Sequence, residues 1–189
     1  IEDAYSRGLQ ELLSDLVATR IFGASALFAA AEVLIPDGLD TIPATEQFYP
    51  PARRRIREML GELDRMGHIR AIENLAVSET LTSRKAATID YLRELRQIAA
   101  DRSDEKKIDD DPLLKIAYAK IAQDLRRGIK HVEKWAKAAE YKYSTIGLEV
   151  PEALERLSLG VPPTQIGIFG ALKTINWRSA ILAGWLDKI

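Results

Sequence analysis

Two carboxylates, those of Glu11 and Asp15, lie four positions apart in a stretch that is otherwise rich in leucine and alanine. Residues at this spacing project from one face of an α-helix, so both carboxylates point the same way. Like charges one turn apart repel and weaken an isolated helix, and a compensating group is therefore expected. On charge pattern alone, ion pairs are the simplest interpretation, with Arg7 beside Glu11 and Arg20 beside Asp15.

The segment around this pair, residues 11–23 (ELLSDLVATRIFG), resembles the Glu-x-x-x-Asp helix of gluzincin-type zinc metallopeptidases. More narrowly, the chain is similar to a group of bacterial metallopeptidase-like proteins that share three features in order. These are that helix, a Pro-Pro-x-x-Arg segment and an aromatic C-terminal helix containing Ala and Gly. The second and third features correspond here to residues 49–57 (YPPARRRIR) and 181–186 (ILAGWL).

The resemblance implies a role for each acid. Glu11 would be the carboxylate ligand of a catalytic zinc ion, and Asp15 would hold a ligating histidine in its orientation. A site with two histidines and one carboxylate leaves a coordination position for the water that zinc activates. A bound cation would also offset the repulsion between the two acids.

The other zinc ligands of this family lie in a His-Glu-x-x-His helix, which this chain lacks. His68 and His131 are far apart in the sequence, and neither has the neighbours that the motif requires. Since the chain begins at Ile1 without a methionine, we expect the missing helix on a preceding segment and zinc binding only in its presence. The chain is thus predicted to be the helical C-terminal portion of such a protein. By itself, it is predicted to have no peptidase activity. Alternatively, the chain is a degenerate relative of this family.

Two other functions fit the residues. In the first, the chain is a non-catalytic helical module for protein interaction or regulation, and Glu11 and Asp15 only form ion pairs. In the second, Arg126 and His131 form an Arg-x4-His pattern that resembles the motif of HEPN ribonucleases. His131 would handle a 2′-hydroxyl proton while Arg126 stabilises phosphate charge. Residues five apart lie about 140° apart around a helix, so a solvated basic face is the simpler interpretation.

An arginine cluster, residues 53–57 (RRRIR), opens the helix predicted after Pro51. Cations in the first turn of a helix are disfavoured by the helix dipole, which indicates that these arginines have acidic partners. Glu46, Glu58 and Glu62 are the acids nearest in sequence.

The composition limits the classes of protein. The 189 residues include 27 Lys+Arg and 28 Asp+Glu, and the net charge of −1 gives no reason to expect a nucleic acid or a membrane as partner. A protein or peptide remains as the candidate partner. With no cysteine, the chain has no disulfide, Fe–S cluster or thiol nucleophile. It carries no targeting signal, and we expect a cytoplasmic protein.

The periodicity of apolar residues predicts an all-α, multi-helix bundle without strands, as a single domain over residues 1–189. The first helix is apolar nearly all round between residues 12 and 35, which predicts a central position with the long 112–143 helix packed along it. The charged run 101–111 reads as a solvated loop or hinge, and it is the one candidate subdivision. The predicted helices cover residues 3–34 (bent or divided at Gly23), 51–66, 69–100 (with an interruption around 78–83), 112–143, 151–159 and 177–188.

Overall fold

The computed structural model of the protein describes residues 2–39, 49–163, 165–168 and 171–189. It confirms an all-α, multi-helix fold. The elements are α1 (Glu2–Phe22), α2 (Ala24–Leu34), α3 (Ala52–Arg65), α4 (His68–Glu73), a 3-10 turn (Glu79–Leu81), α5 (Thr82–Ala100), α6 (Ser103–Asp109), α7 (Pro112–Ala136), α8 (Tyr143–Ser158), β1 (Gln165–Ile168), β2 (Ala171–Thr174) and α9 (Trp177–Lys188).

Several helix boundaries are where the sequence predicts them. Gly23 divides α1 from α2 with a φ of 65°. A Cβ atom at this position would approach both His68 Nδ1 and Tyr141 Cδ1 to 2.9 Å, so only glycine fits there. Gly67 ends α3 in the left-handed conformation. Asp111 caps α7 by accepting hydrogen bonds from two backbone N–H groups at 2.9 and 3.2 Å.

The buried apolar side chains form two clusters that meet at α3. The larger cluster lies among α2, α3, α4, α5, α8 and α9 and includes Phe28, Met59 and Leu154. The smaller cluster lies among α1, α6 and α7 and includes Leu12, Ile108 and Ile121. Because α3 stands between them, it can turn its apolar side to one cluster and its arginines to the helices of the other.

The predicted packing of α7 along α1 is confirmed. The two helices lie side by side, with Leu13 against Gly128, where a Cβ atom would come within 2.7 Å of the leucine. The predicted central position of the first helix is not confirmed. Leu13, Val17 and Ile21 of α1 remain partly exposed, whereas α2 lies in the larger cluster.

The charged run 101–111 is largely helical, so its prediction as a solvated loop was wrong. Helix α6 occupies most of it, with Asp104 fully buried and Ile108 5% exposed. Burial of Asp104 is tolerated because the Arg57 guanidinium of α3 pairs with it, with Nη2 2.7 Å from Oδ1. Charge pattern alone missed this contact because its two residues are far apart in sequence.

Two boundaries near the C-terminus also differ from the prediction. Helix α7 ends at Ala136 instead of continuing to residue 143, and α8 begins at Tyr143 with Pro151 inside it. Proline favours the first turn of a helix, which placed the predicted start at residue 151. Burial of Ile146 and Val150 stabilises the two turns before the proline and overrides that preference.

A short antiparallel hairpin, β1–β2, precedes α9, whereas the sequence predicted no strand. Gln165 pairs with Thr174 and Ile168 with Ala171. Four-residue strands are too short to show a clear alternation, which explains why the pattern was missed. Residues 40–48, between the predicted helices 3–34 and 51–66, lie outside the described residues. Among the helices that are described, none has the length and apolar content to cross a membrane.

Candidate functional site

Helices α1 and α3 bring Glu11 and Asp15 to one guanidinium, that of Arg55. Arg55 donates two hydrogen bonds to Asp15, from Nε to Oδ2 at 2.7 Å and from Nη2 to Oδ1 at 2.8 Å. The same Nη2 atom lies 3.3 Å from Glu11 Oε2. The hydrogen bonds to Asp15 raise the pKa of Arg55, so this arginine stays charged. One cation thus compensates the two like charges.

The exposure of the two acids differs. The Asp15 side chain is 9% exposed and has both oxygens bound to Arg55. The Glu11 side chain is 32% exposed and meets Arg55 through one oxygen. Asp15 is therefore a fixed structural acceptor, while Glu11 has a carboxylate that a further cation can reach.

The predicted pairing of Arg20 with Asp15 is wrong, and the pairing of Arg7 with Glu11 stays a prediction. Arg20 instead contacts the fully buried Glu62, together with Glu133 at 3.0 Å and Glu140 at 3.2 Å. Arg20 thereby ties α1 to α3, to α7 and to the connection after α7.

The arginine cluster 53–57 does have acidic partners, as its position in the first turn predicts. Arg55 reaches α1, and Arg57 reaches Asp104 and Glu105 of α6. The acids expected from sequence were others. Glu62 pairs with Arg20 and with Arg65, and Glu46 lies outside the described residues. For Arg55 and Arg57, proximity in sequence was the wrong guide, because their partners lie on α1 and α6.

We call these contacts the polar seam: Arg20, Arg55 and Arg57 with their partners Glu11, Asp15, Glu62 and Asp104. The seam runs between the two apolar clusters and joins α3 to α1 and α6. Its arginines and acids are mostly buried, so each charge depends on its partner. One feature of the sequence does point to the seam: Asp15 and Glu62 stand among apolar residues of their helices.

An apolar face of α1 next to Asp15 is only partly covered by the described elements, since its Leu9 and Leu13 also pack against the smaller cluster. It forms an open groove of about 600 Å³ whose lining includes Leu9, Leu13, Val17 and Ile21. A second groove of about 420 Å³ begins at Asp15 and continues over α2 to α9; its lining includes Ala18, Phe22, Ala26, Ala29, Ile181 and Trp185. Asp15 thus borders an apolar surface, and Glu11 lies one turn before it on the same side of α1.

Among the described residues, Glu11 and Asp15 have no further ligands with which to form a metal site. Within them, no three His, Cys, Asp or Glu side chains come together in a group that could hold a metal ion. Glu11 has the accessible carboxylate and Asp15 the fixed acceptor that a two-histidine, one-carboxylate site uses. Both histidine ligands would have to come from another segment.

The two histidines of the chain lie in contrasting places. His68 is fully buried, and its Nε2 donates a hydrogen bond to the Tyr141 carbonyl at 2.7 Å. Burial lowers the pKa of His68 to about 4, so its ring is neutral at pH 7. His131 lies on the exposed side of α7.

Arg126 and His131 are both exposed on the regular helix α7. Regular helical geometry keeps positions five apart about 140° apart, so the helix itself does not direct the two side chains to one point. The ribonuclease function stays a prediction. The simpler interpretation of this region, a solvated basic face, agrees with the exposure of both residues.

Comparisons of the chain with known protein families, with curated proteins and with solved structures find no match. The fold and the site together define a class of protein: a helical bundle with a cation-compensated acid pair beside a partly covered apolar helix face.

Proposed function

We propose that the chain is the helical C-terminal portion of a zinc-metallopeptidase-like protein, in which Glu11 binds zinc and Asp15 orients a histidine ligand. The observation that carries the proposal is the position of Asp15 at the border of the partly covered apolar face of α1, with Glu11 one turn before it. The resemblance of residues 11–23 to the Glu-x-x-x-Asp helix supports the same assignment.

A helix packed on that face would bring its side chains close to the acid pair. In a His-Glu-x-x-His helix the two histidines are one turn apart and share a face. The grooves beside Asp15 are lined mainly by apolar side chains, which suits the apolar side of such an amphipathic helix. The segment that carries it would complete both the core of the protein and its ligand set.

The two acids have different tasks in this site. Glu11 offers an oxygen to the metal because its side chain is partly exposed and only one of its oxygens meets Arg55. Asp15 is anchored by Arg55 and keeps lone pairs that can accept from an imidazole N–H. When bound, zinc supplies an activated water for hydrolysis.

The test is the zinc content of the complete protein and of two variants, measured by mass spectrometry of the metal after purification. Glu11→Gln is expected to lose the zinc. Asp15→Asn is expected to bind zinc about 10- to 100-fold more weakly, because only the orientation of a ligand is lost. Glu94→Gln, an exposed acid on α5, is the matched control and should retain the wild-type zinc content. Wild-type zinc content in Glu11→Gln, or no zinc in the parent protein, overturns the proposal.

A second candidate function is a non-catalytic module that binds a partner helix. The observation that favours it is Arg55, which compensates both acids without any metal. In this case the partly covered apolar face of α1 binds a protein partner, and the acid pair only stabilises the α1–α3 contact. Zinc content again decides between the two functions, because the module needs none.

A further inference from the structure

Arg54 differs from the other members of the arginine cluster, because its contacts with the described residues include no acid. Arg53, Arg55 and Arg57 each have a carboxylate nearby, at 3.3, 2.7 and 2.7 Å. The Arg54 guanidinium instead lies over the buried ring of Tyr118, 4.5 Å from its centroid. A cation–π contact stabilises the guanidinium, but it does not supply a counter-ion for the charge.

Only part of the Arg54 guanidinium can be reached by a ligand. The side chain is half-buried, and its Nε atom is enclosed without an acceptor among the described atoms. The two terminal nitrogens are not enclosed in this way. Together they form a planar fork of N–H donors that matches the two oxygens of a carboxylate. Inside the fold, Arg55 already binds Asp15 through two parallel hydrogen bonds.

Arg54 lines a pocket of about 330 Å³ between α3, α6 and α7. We call it the Arg54 pocket. A volume of this size lies at the lower end of the range for small-molecule sites. Part of its wall is apolar and is formed by Ile108 of α6 and by Tyr118 and Ala122 of α7. The pocket therefore offers a cation and an apolar wall to a small organic ion.

The two acids that line the pocket have cations of their own. Glu105 lies 3.2 Å from Arg57, and Asp109 lies 3.3 Å from Lys115, which also lines the pocket. Among the charges that line it, Arg54 is thus left without a counter-ion from the described part of the chain. The acids still repel a doubly charged ligand such as inorganic phosphate, so a singly charged anion fits the pocket better.

We propose that the Arg54 pocket binds a short aliphatic carboxylate. The carboxylate would accept hydrogen bonds from the terminal nitrogens of Arg54, and the aliphatic chain would contact the wall formed by Ile108 and Ala122. The bound anion would supply the counter-ion that the guanidinium lacks. The proposal goes beyond the zinc proposal, because it needs neither zinc nor Glu11.

The test is a titration of the complete protein, labelled with ¹⁵N, with sodium butyrate at constant ionic strength. Nuclear magnetic resonance follows the Nε–H signal of Arg54, which is identified by its absence from Arg54→Lys. Because this N–H is enclosed, it is protected from exchange with water. Butyrate should shift the signal with a Kd on the order of 1 mM. Butyramide, which has the same shape without the charge, should leave it unshifted.

The variants are compared through the backbone N–H signals of residues 115–122, and the remaining backbone signals show that each variant is folded. Arg54→Gln should weaken butyrate binding by about tenfold or more, because charge-assisted hydrogen bonds are lost. Arg54→Lys should recover only part of this loss, since an ammonium has no planar fork. Ala122→Leu should also weaken binding, because the larger side chain fills the pocket without changing any charge.

Two controls should bind butyrate like wild type. Arg93→Gln removes an exposed arginine of α5 that does not line the pocket. Glu11→Gln removes the proposed zinc ligand, so its result separates the butyrate site from the fate of the zinc proposal. Acetate should bind more weakly than butyrate, because it has less apolar surface to place against the wall.

Three outcomes overturn the proposal. One is no shift with butyrate at concentrations well above the expected Kd. Another is wild-type affinity in either Arg54→Gln or Ala122→Leu, which would place butyrate elsewhere on the protein. The third is tighter binding of inorganic phosphate than of butyrate, which would identify the pocket as a phosphate site. Equal affinities for acetate and butyrate would contradict the contact with the apolar wall.

Discussion

The two sides of helix α3 are stabilised by different forces. One side places Ile56, Met59 and Leu63 in the larger apolar cluster, where burial is non-directional and depends on area. The other side places Arg55 and Arg57 in the polar seam, where each contact depends on the geometry of one partner. Most of the fold is thus stabilised by the burial of apolar surface area. The packing of α1 and α6 on α3 depends in addition on individual ion pairs.

This difference has a consequence for where function can lie. Side chains in the larger cluster are enclosed, so a change there affects the whole fold. The seam holds charged groups next to an open groove that begins at Asp15, and the Glu11 side chain is 32% exposed, within reach of a ligand. A site that binds a cation can therefore be added at the seam without rebuilding the core.

The largest effect is expected in the apolar cluster. Phe28 is fully buried, with ring centroids of Tyr91 and Trp185 at 5.8 and 6.1 Å. Phe28→Ala should lower the free energy of unfolding by about 4 kcal/mol, because it removes buried area and leaves a cavity. Urea unfolding followed by circular dichroism measures it. A loss below about 1 kcal/mol would mean that this cluster is not the main source of stability.

The larger cluster also surrounds one polar group, the imidazole of His68, which is stable there only when it is neutral. His68 has a pKa near 4 in the fold because it is buried, whereas an unfolded histidine has one near 6.5. As the pH falls from 6.5 to 4, the unfolded chain gains a proton that the folded chain does not. The free energy of unfolding should therefore fall by about 3 kcal/mol over this range from His68 alone.

His68→Gln tests this pH dependence, because glutamine can still donate to Tyr141 and does not titrate. Urea unfolding of wild type and variant at pH 7, 5.5 and 4.5 gives the difference in stability at each pH. As the pH falls, the free energy of unfolding of the variant should rise relative to that of wild type. Parallel curves would show that the histidine is not held neutral in the fold.

In the seam, Arg55→Gln is expected to lower the free energy of unfolding by about 2 kcal/mol. It leaves Asp15 buried without its cation and exposes it to the repulsion of Glu11. Asp15→Asn should restore part of that loss in the double variant, since it removes the uncompensated charge. Arg93→Gln is the control, because Arg93 and its partner Asp90 are exposed and their pair contributes little. Equal effects of the two arginine variants would contradict a structural role for the seam.

Sequence reasoning succeeded where a signal is local. Apolar spacing predicted most of the helices, Gly23 marked the division of the first one, and Asp111-Pro112 marked the start of α7. It also predicted that Glu11 and Asp15 need compensation and that the arginine cluster needs acids.

The identity of each partner could not be predicted. Arg55 and Asp15 lie 40 positions apart, and Arg57 and Asp104 lie 47 apart, so only the packing of α1 and α6 on α3 brings them together. The burial of Asp104 illustrates the limit, because a run of charges looks solvated until its cationic partner is known. The partial exposure of the apolar face of α1 could not be predicted for the same reason, since an apolar sequence does not say what covers it.

The most direct measurement of the zinc proposal is X-ray absorption at the zinc edge of the complete protein, with Glu11→Gln alongside. The proposal predicts a first shell of two imidazole nitrogens with oxygen ligands at about 2.0–2.2 Å, and loss of that shell in the variant. A first shell that is the same in wild type and Glu11→Gln, or one built of sulfur ligands, would contradict the role assigned to Glu11.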